Sequence, residues 1–477
     1  MRIRISDLWT WEGKIDRGRY ALIGFVGFAL KYNLDRLLAR IAFHRSWGML
    51  DYWIPAGTAI HITSLPATEA KFLAWMVALA LPFIWVGVVL TLRRLRDVGL
   101  PVGLLVLFFV PVVNLAFFAI LCILPSRESS TSDIPGAFRA RQTLLGRIIP
   151  RTALGSAAVA VVVTAAFGLL LVWLGASLMN AYGWGLFIAL PFSLGLLSAL
   201  VYGYHQPRNF GQCVLVGLLS IGFLAAGLLT AAIEGAICIA MAAPLAILLV
   251  FMGSAVGYCI QRRIWPNPPA PAIASLLLIF LPGVMSVERV TSPAPPVFAV
   301  QTAIEINAPP EAVWNQVVAF SEIPPPRELL FRAGIAYPIR AEILGRGPGA
   351  ERHCVFSTGA FVEPIQVWDE PHLLKFSVSE NPPPMAEWTP YHRIDAPHLH
   401  GYLVSNGGQF LLTPLPGGRT RLEGTTWYRH SLWPAGYWRL WSDAIIHRIH
   451  LRVLLHIQAL AEHNVGEAAT LSSQPSR

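Results

Sequence analysis

The chain has 477 residues, 55% of them apolar and only 13% charged, against about 25% charged in soluble domains. With a mean hydropathy of +0.54, an ordinary water-soluble globule is excluded. The net charge of +9 is uneven: residues 1–290 hold 22 Lys and Arg against 11 Asp and Glu, and the remainder 14 against 16. The basic surplus therefore belongs to the apolar part, where Arg flanks long uncharged runs, and reads as an orientation signal rather than a nucleic-acid surface.

The first 19 residues are mixed and charged, so no removable signal peptide is expected. A membrane-crossing helix needs about 20 apolar residues. Phe72 to Leu92, Ala153 to Met179, Gly183 to Tyr204, Phe210 to Ile233 and Gly235 to Ile260 each supply that without a charge beyond the flanking loops. Tyr20 to Ala42 is interrupted by Lys31, Asp35, Arg36 and Arg40, and Ala270 to Val287 is short but uncharged; both are counted as spans. Lys31 and Asp35 stand at i, i+4 and are placed to pair, unless the helix ends near Lys31. Glu234, between two spans, reads as an outer-loop residue. Gly253-Ser-Ala-Val-Gly257 is a small-residue helix-packing signal.

Leu100 to Leu124 is uncharged but broken by Pro111 and Asn114, so it either crosses once or turns back as a hairpin. A hairpin puts 16 Lys and Arg on one side against two, Arg45 and Lys71, on the other, whereas a single crossing divides them evenly. The usual cytoplasmic bias selects the hairpin, a cytoplasmic N-terminus and an outer, periplasmic C-terminal region.

Three pieces stand in order near the start: Gly13-Lys-Ile-Asp-Arg-Gly-Arg-Tyr20, Arg93-Arg-Leu-Arg-Asp-Val-Gly99 and Pro111-Val-Val-Asn114. Together they resemble the bacterial inner-membrane domain-of-unknown-function 805 family, over residues 8 to 126. The resemblance implies an inner-membrane location and no particular activity. Where that family commonly shows His, this chain has Arg96. Arg93, Arg94 and Arg96 read as a basic turn at the membrane interface, facing anionic head groups.

After Val287 the composition changes to ordinary charge density. Strands are expected at Val297 to Asn307, Ile339 to Leu344, Glu351 to Ser357, Phe361 to Trp368, Leu373 to Ser379, Gly407 to Leu415 and Thr420 to Tyr428, from their alternation. Pro416-Gly417-Gly418 supplies the last hairpin turn. Ala308-Pro-Pro-Glu-Ala-Val-Trp314 starts a short helix with Pro in its first turn, and Tyr437 to His463 forms a long final one. The expected organisation is a membrane domain at 1–126, a basic cytoplasmic loop at 127–152, a second helical bundle at 153–287, a Pro-rich linker at 288–297, a soluble α+β domain at 298–463 and a disordered tail at 464–477.

Strand, helix, antiparallel meander and long final helix, with Glu305-Ile-Asn-Ala-Pro-Pro-Glu-Ala-Val-Trp314 at the start, resemble the helix-grip START/polyketide-cyclase-like superfamily (SRPBCC), in which a curved sheet wraps the last helix around a cavity for apolar molecules. The resemblance implies a hydrophobic small-molecule or lipid ligand. Trp438, Trp441 and Ile445 on the last helix, and Phe376, Tyr402, Phe410 and Trp427 on the strands, are the expected lining. Membrane lipids are the other expected partners, and oligomeric state is not indicated.

Ten of the 13 His fall in this region. Asp443, His447 and His450, at i, i+4 and i+7, could share one side of the helix as ligands for a divalent transition metal, although a solvated polar face is the more economical account of the spacing. His392, His398 and His400 lie in the Pro-rich segment Asn381 to Leu399, which reads as a lid or binding loop, and could add ligands or a general base. Five scattered Cys without a CxxC give no disulfide framework or structural zinc site. No GxSxG, P-loop, GxGxxG or HExxH is present, so no cofactor is expected and no catalytic residue is assigned. A ligand-binding module is the leading reading; a His-dependent enzyme on an apolar substrate and a protein-docking or signalling module are the alternatives.

Overall fold

The computed structural model describes residues 9–53, 67–109, 113–126, 148–178, 182–264, 270–291, 294–388, 394 and 396–472. The chain divides into two compact units. One comprises Met1–Ala231 and Ala242–Pro293; the other comprises Ala294–Arg477 together with the ten-residue segment Ala232–Met241.

The first unit is helical: α1 (Arg17–Phe43), α2 (Ala67–Val98), α3 (Val113–Ile123), α4 (Ala153–Val172), α5 (Leu190–Tyr202), α6 (Phe210–Thr230), α7 (Ala236–Ile264), whose residues up to Met241 belong to the second unit, and α8 (Ala270–Thr291). Among the described residues six helices are long and apolar enough to cross a membrane, α2 and α4 to α8, with α4 and α5 extended by π turns. Helix α1 is continuous past Lys31, which pairs with Asp35; Tyr52 also donates to that carboxylate. The 100–124 run divides into a 3₁₀ segment, Val102–Phe109, and α3, each too short to cross alone. The break itself, with Pro111, lies outside the described residues.

Helix α5 is central, with nearly every side chain buried. It can be surrounded closely because its neighbours present glycine. A Cβ on Gly253 would lie 2.0 Å from the Phe192 carbonyl oxygen, so the small-residue face of α7 does pack backbone to backbone.

The second unit is a seven-stranded antiparallel sheet in the order β1-β7-β6-β5-β4-β3-β2. Its strands are β1 (Val297–Ile306), β2 (Pro338–Leu344), β3 (Glu351–Phe356), β4 (Gly359–Asp369), β5 (Leu373–Ser377), β6 (Leu403–Leu415) and β7 (Arg419–His430). Between β1 and β2 lie α9 (Pro310–Val318) and the short α10 (Leu329–Arg332), and after β7 comes α11 (Ala435–Ser472). The alternation that marked the strands in sequence is the alternation of burial along them, as in β1. The hairpin at Pro416 to Gly418 closes with Leu415 opposite Arg419, and both glycines have positive φ.

Helix α11 runs nine residues past His463 and lies against the concave face. Leu454, Ile457 and Ala461 meet Leu374, Leu412, Leu422 and, from α9, Val313 and Trp314 in one core. Register shifts at Ile365/Val367 and Ser405/Gly407 bend the sheet around the helix. The second of these needs glycine: a Cβ on Gly407 would lie 2.6 Å from the Phe376 carbonyl oxygen. This is the helix-grip fold.

Candidate functional site

The core occupies only one end of the sheet. Toward the N-terminal end of α11 the sheet and helix diverge around a cavity of about 200 Å³. Its walls are mainly apolar: Phe320, Phe376 and Phe410 from beside and within the sheet, and Trp438, Ile445 and Ile449 from α11. Five of the seven expected lining residues, Phe376, Tyr402, Phe410, Trp438 and Ile445, face this space. Trp427 and Trp441 are outside the lining. Leu422 and Tyr428 on β7 point toward α11, so by the two-residue period Trp427 lies on the other face, where the Lys375 ammonium sits 5.5 Å from its ring.

Arg352 brings a buried guanidinium into the cavity wall. Arg352 on β3 is 1% exposed, ion-paired to Glu363 on β4, and donates from Nε to the Val318 carbonyl at 3.2 Å. Burial works against its charge, and the adjacent Glu363 carboxylate outweighs that and holds the guanidinium protonated. The Phe320, Phe376 and Phe410 rings each lie 5.6 Å from its central carbon. Its Nη2 has no hydrogen-bonded partner among the described residues, with only the Cys354 thiol, a weak acceptor, beside the guanidinium.

The Pro-rich segment after β5 forms another wall, tied down at several points. Asn381 accepts from the Ser405 amide at 2.8 Å, and the Pro383 and Pro384 carbonyls accept from Thr358 and the Ala336 amide. Beyond it, Glu387 reaches the start of α7. Its carboxylate accepts from the Ile237 and Cys238 amides at 3.0 and 3.2 Å, satisfying the otherwise unpaired donors of a helix N-terminus. Gly235 makes room, since a Cβ there would fall 2.0 Å from a Glu387 oxygen. Tyr437 of α11 donates to the Met241 carbonyl at the end of the same segment.

This segment brings together residues that the sequence keeps far apart. Cys238 Sγ lies 2.8 Å from His398 Nε2, and Glu234 Oε2 lies 3.2 Å from Nδ1 on the other edge of the same ring. Glu387 is 3.7 Å from Nε2. Glu234 is buried, contrary to its expected place in an open outer loop, because its carboxylate is held against the imidazole. Burial opposes a charged imidazole, but the Cys238, Glu234 and Glu387 groups around it push its pKa up to about 12. Cys238 and His398 line the cavity, with Glu234 behind them. Among the described residues, Glu234, Cys238 and His398 form the set of potential metal donors that converges, with one atom from each within 4.8 Å.

Asp443, His447 and His450 are engaged separately. Asp443 accepts from Tyr428 and from Arg439 at 2.5 and 2.9 Å. The two imidazoles meet Thr302 of β1, and His450 also meets Thr426 at 2.7 Å. His450 is buried, which pushes its pKa down to about 4. His400 is exposed, and His392 lies outside the described residues.

The basic turn also differs from a row of head-group contacts. Arg94 is fully buried: it pairs with Asp97, donates to the Leu121 carbonyl at 3.0 Å, and reaches the Ile15 and Leu124 carbonyls and Ser126. Arg93 and Arg96 donate to the Lys14 and Trp11 carbonyls, so all three arginines bind the segment before α1.

Fold and site together define a multi-pass membrane protein carrying a helix-grip unit with an apolar cavity. Residues 8–132 match the model of the family described as Protein of unknown function (DUF805). No curated protein matches the chain. Similar solved structures include a protein from Nitrosospira multiformis, 17% identical over 34% of this chain and 94% of that one, with a TM-score of 0.23. An aromatase/cyclase from a Streptomyces species is 16% identical over 36% and 96%, with a TM-score of 0.23. A Thalictrum norcoclaurine synthase point mutant, solved with a transition-state analogue, is 13% identical over 36% and 98%, with a TM-score of 0.25.

Proposed function

We propose that this is a bacterial inner-membrane protein whose C-terminal unit, on the periplasmic side, captures a hydrophobic small molecule or lipid. The observation that carries the reading is the cavity between sheet and α11, apolar except for a few polar groups, the usual make-up of a small-molecule site. The free Arg352 Nη2 favours an amphiphile whose polar group accepts one hydrogen bond, because an unsatisfied buried donor is costly. Tethering to the bilayer supplies a poorly soluble ligand at high local concentration. The positive-inside count supports the periplasmic side.

Native mass spectrometry of the full chain, released from a mild detergent, tests the capture. Wild type is expected to keep one lipid-sized mass that Ile445→Trp, which fills the cavity, loses. Equal retention by both would place that lipid on the helices instead and sink the reading. A reporter active only in the periplasm, fused after Ser472, is expected to work; activity only from a cytoplasmic reporter would reverse the orientation.

A further inference from the structure

We propose that Cys238, His398 and Glu234 act as nucleophile, base and positioning carboxylate in transferring an acyl group from an ester or thioester held in the cavity. The proposal rests on the ligand-capture reading and adds chemistry to it. The geometry is that of an activated thiol: sulfur within hydrogen-bond reach of one ring nitrogen, a carboxylate on the opposite one. Glu234, 3.2 Å from Nδ1, pairs with the ring and turns Nε2 toward the sulfur.

The groups around His398 favour its imidazolium, which faces the Cys238 sulfur as the proton donor of a thiolate–imidazolium pair. Glu234, Glu387, Cys238 and Tyr402 are the titratable groups facing it. The acyl class follows from the cavity. Its apolar walls suit a hydrocarbon chain, and an acyl carbon is an electrophile that a thiol can attack with water as the one co-reactant.

The steps balance. The thiolate of the pair forms a sulfur–carbon bond at the carbonyl carbon, and the bond to the leaving oxygen or sulfur breaks as His398 Nε2 gives that atom its proton. Water then adds to the acyl-thioester with the now neutral His398 as base, releasing the carboxylic acid and restoring the thiolate–imidazolium pair.

Full-length protein in mild detergent, treated with p-nitrophenyl butyrate, tests this. Expected are a burst of one p-nitrophenol per chain and one butyryl mass on the Cys238 peptide. The adduct should be absent in Cys238→Ala and should form about 10²-fold more slowly in His398→Gln. Glu234→Gln should slow it about 10-fold and move the acid limb of its pH–rate profile upon loss of the carboxylate, which a purely structural effect would not do. Each variant is checked for wild-type melting and retention of the native lipid mass, so that failed folding or failed capture is read separately from failed chemistry. Lack of a Cys238 adduct in a chain that keeps its lipid would overturn the proposal, as would labelling insensitive to His398. Stoichiometric zinc that blocks labelling and disappears in Cys238→Ala would overturn it in favour of a metal centre.

Discussion

Arg94 and Arg352 are both shut away from solvent, one in the helical unit and one in the sheet unit, and they differ in what they leave over. Arg94 spends its donors on three backbone carbonyls, a serine and Asp97. Arg352 meets one carboxylate and one carbonyl, is faced by three phenyl rings, lines a cavity, and has no hydrogen-bonded partner for Nη2 among the described residues. A saturated buried cation holds chain segments together. An unsaturated one in a cavity wall is what the proposed ligand capture calls for.

That contrast breaks most readily at Arg94. Arg94→Leu removes the donors and strands Asp97, so a loss of about 3–5 kcal/mol is expected in melting of the detergent-solubilised protein. A change below about 1 kcal/mol would show that the arginine does not clamp. Arg352→Leu should cost about 3 kcal/mol by leaving Glu363 unpaired, while Arg352→Leu with Glu363→Leu should recover most of it. Both should lose the retained lipid if Nη2 anchors it. Equal melting of the single and double variants would mean that the ion pair is not the cause.

A smaller effect comes from His450, held near 4 by burial and by the neighbouring His447, against about 6.5 in the unfolded chain. The unfolded state then binds more protons, so this contribution is intact above about pH 6.5 and is lost as pH falls toward 4, at up to about 1.4 kcal/mol per pH unit. His450→Gln should flatten the melting temperature against pH across that window, and an unchanged slope would reject the assignment. Arg346→Ala, which removes an exposed pair with Glu370, should leave melting within experimental scatter.

The sheet and helices were legible because their signals are periodic and local. Every expected strand matches an observed one within a few residues, and the burial of β1 repeats its sequence alternation. The cavity was partly legible: two-residue parity places Phe376 and Phe410 inward, but choosing Trp427 on aromatic character alone put it on the wrong face. The Cys238, His398 and Glu234 grouping was not read, since 160 residues separate the thiol from its imidazole. A signal existed. Glu234 is the one acid between Phe210 and Ile260, and a carboxylate alone in such a run either meets water or finds a buried partner. Arg94 was misjudged for a related reason: position beside a span gives charge and depth, while its carbonyl partners come from two other segments.

The segment Ala232–Met241 also sets an order of events during synthesis. Ile237 leaves the ribosome 150 residues before Glu387, whose carboxylate receives its amide. At roughly 5–20 residues per second, the segment waits about 10–30 s for that partner. The sheet unit therefore cannot finish folding from its own nascent strands alone, and a chaperone acting on this protein would meet an unfinished cavity wall throughout that interval.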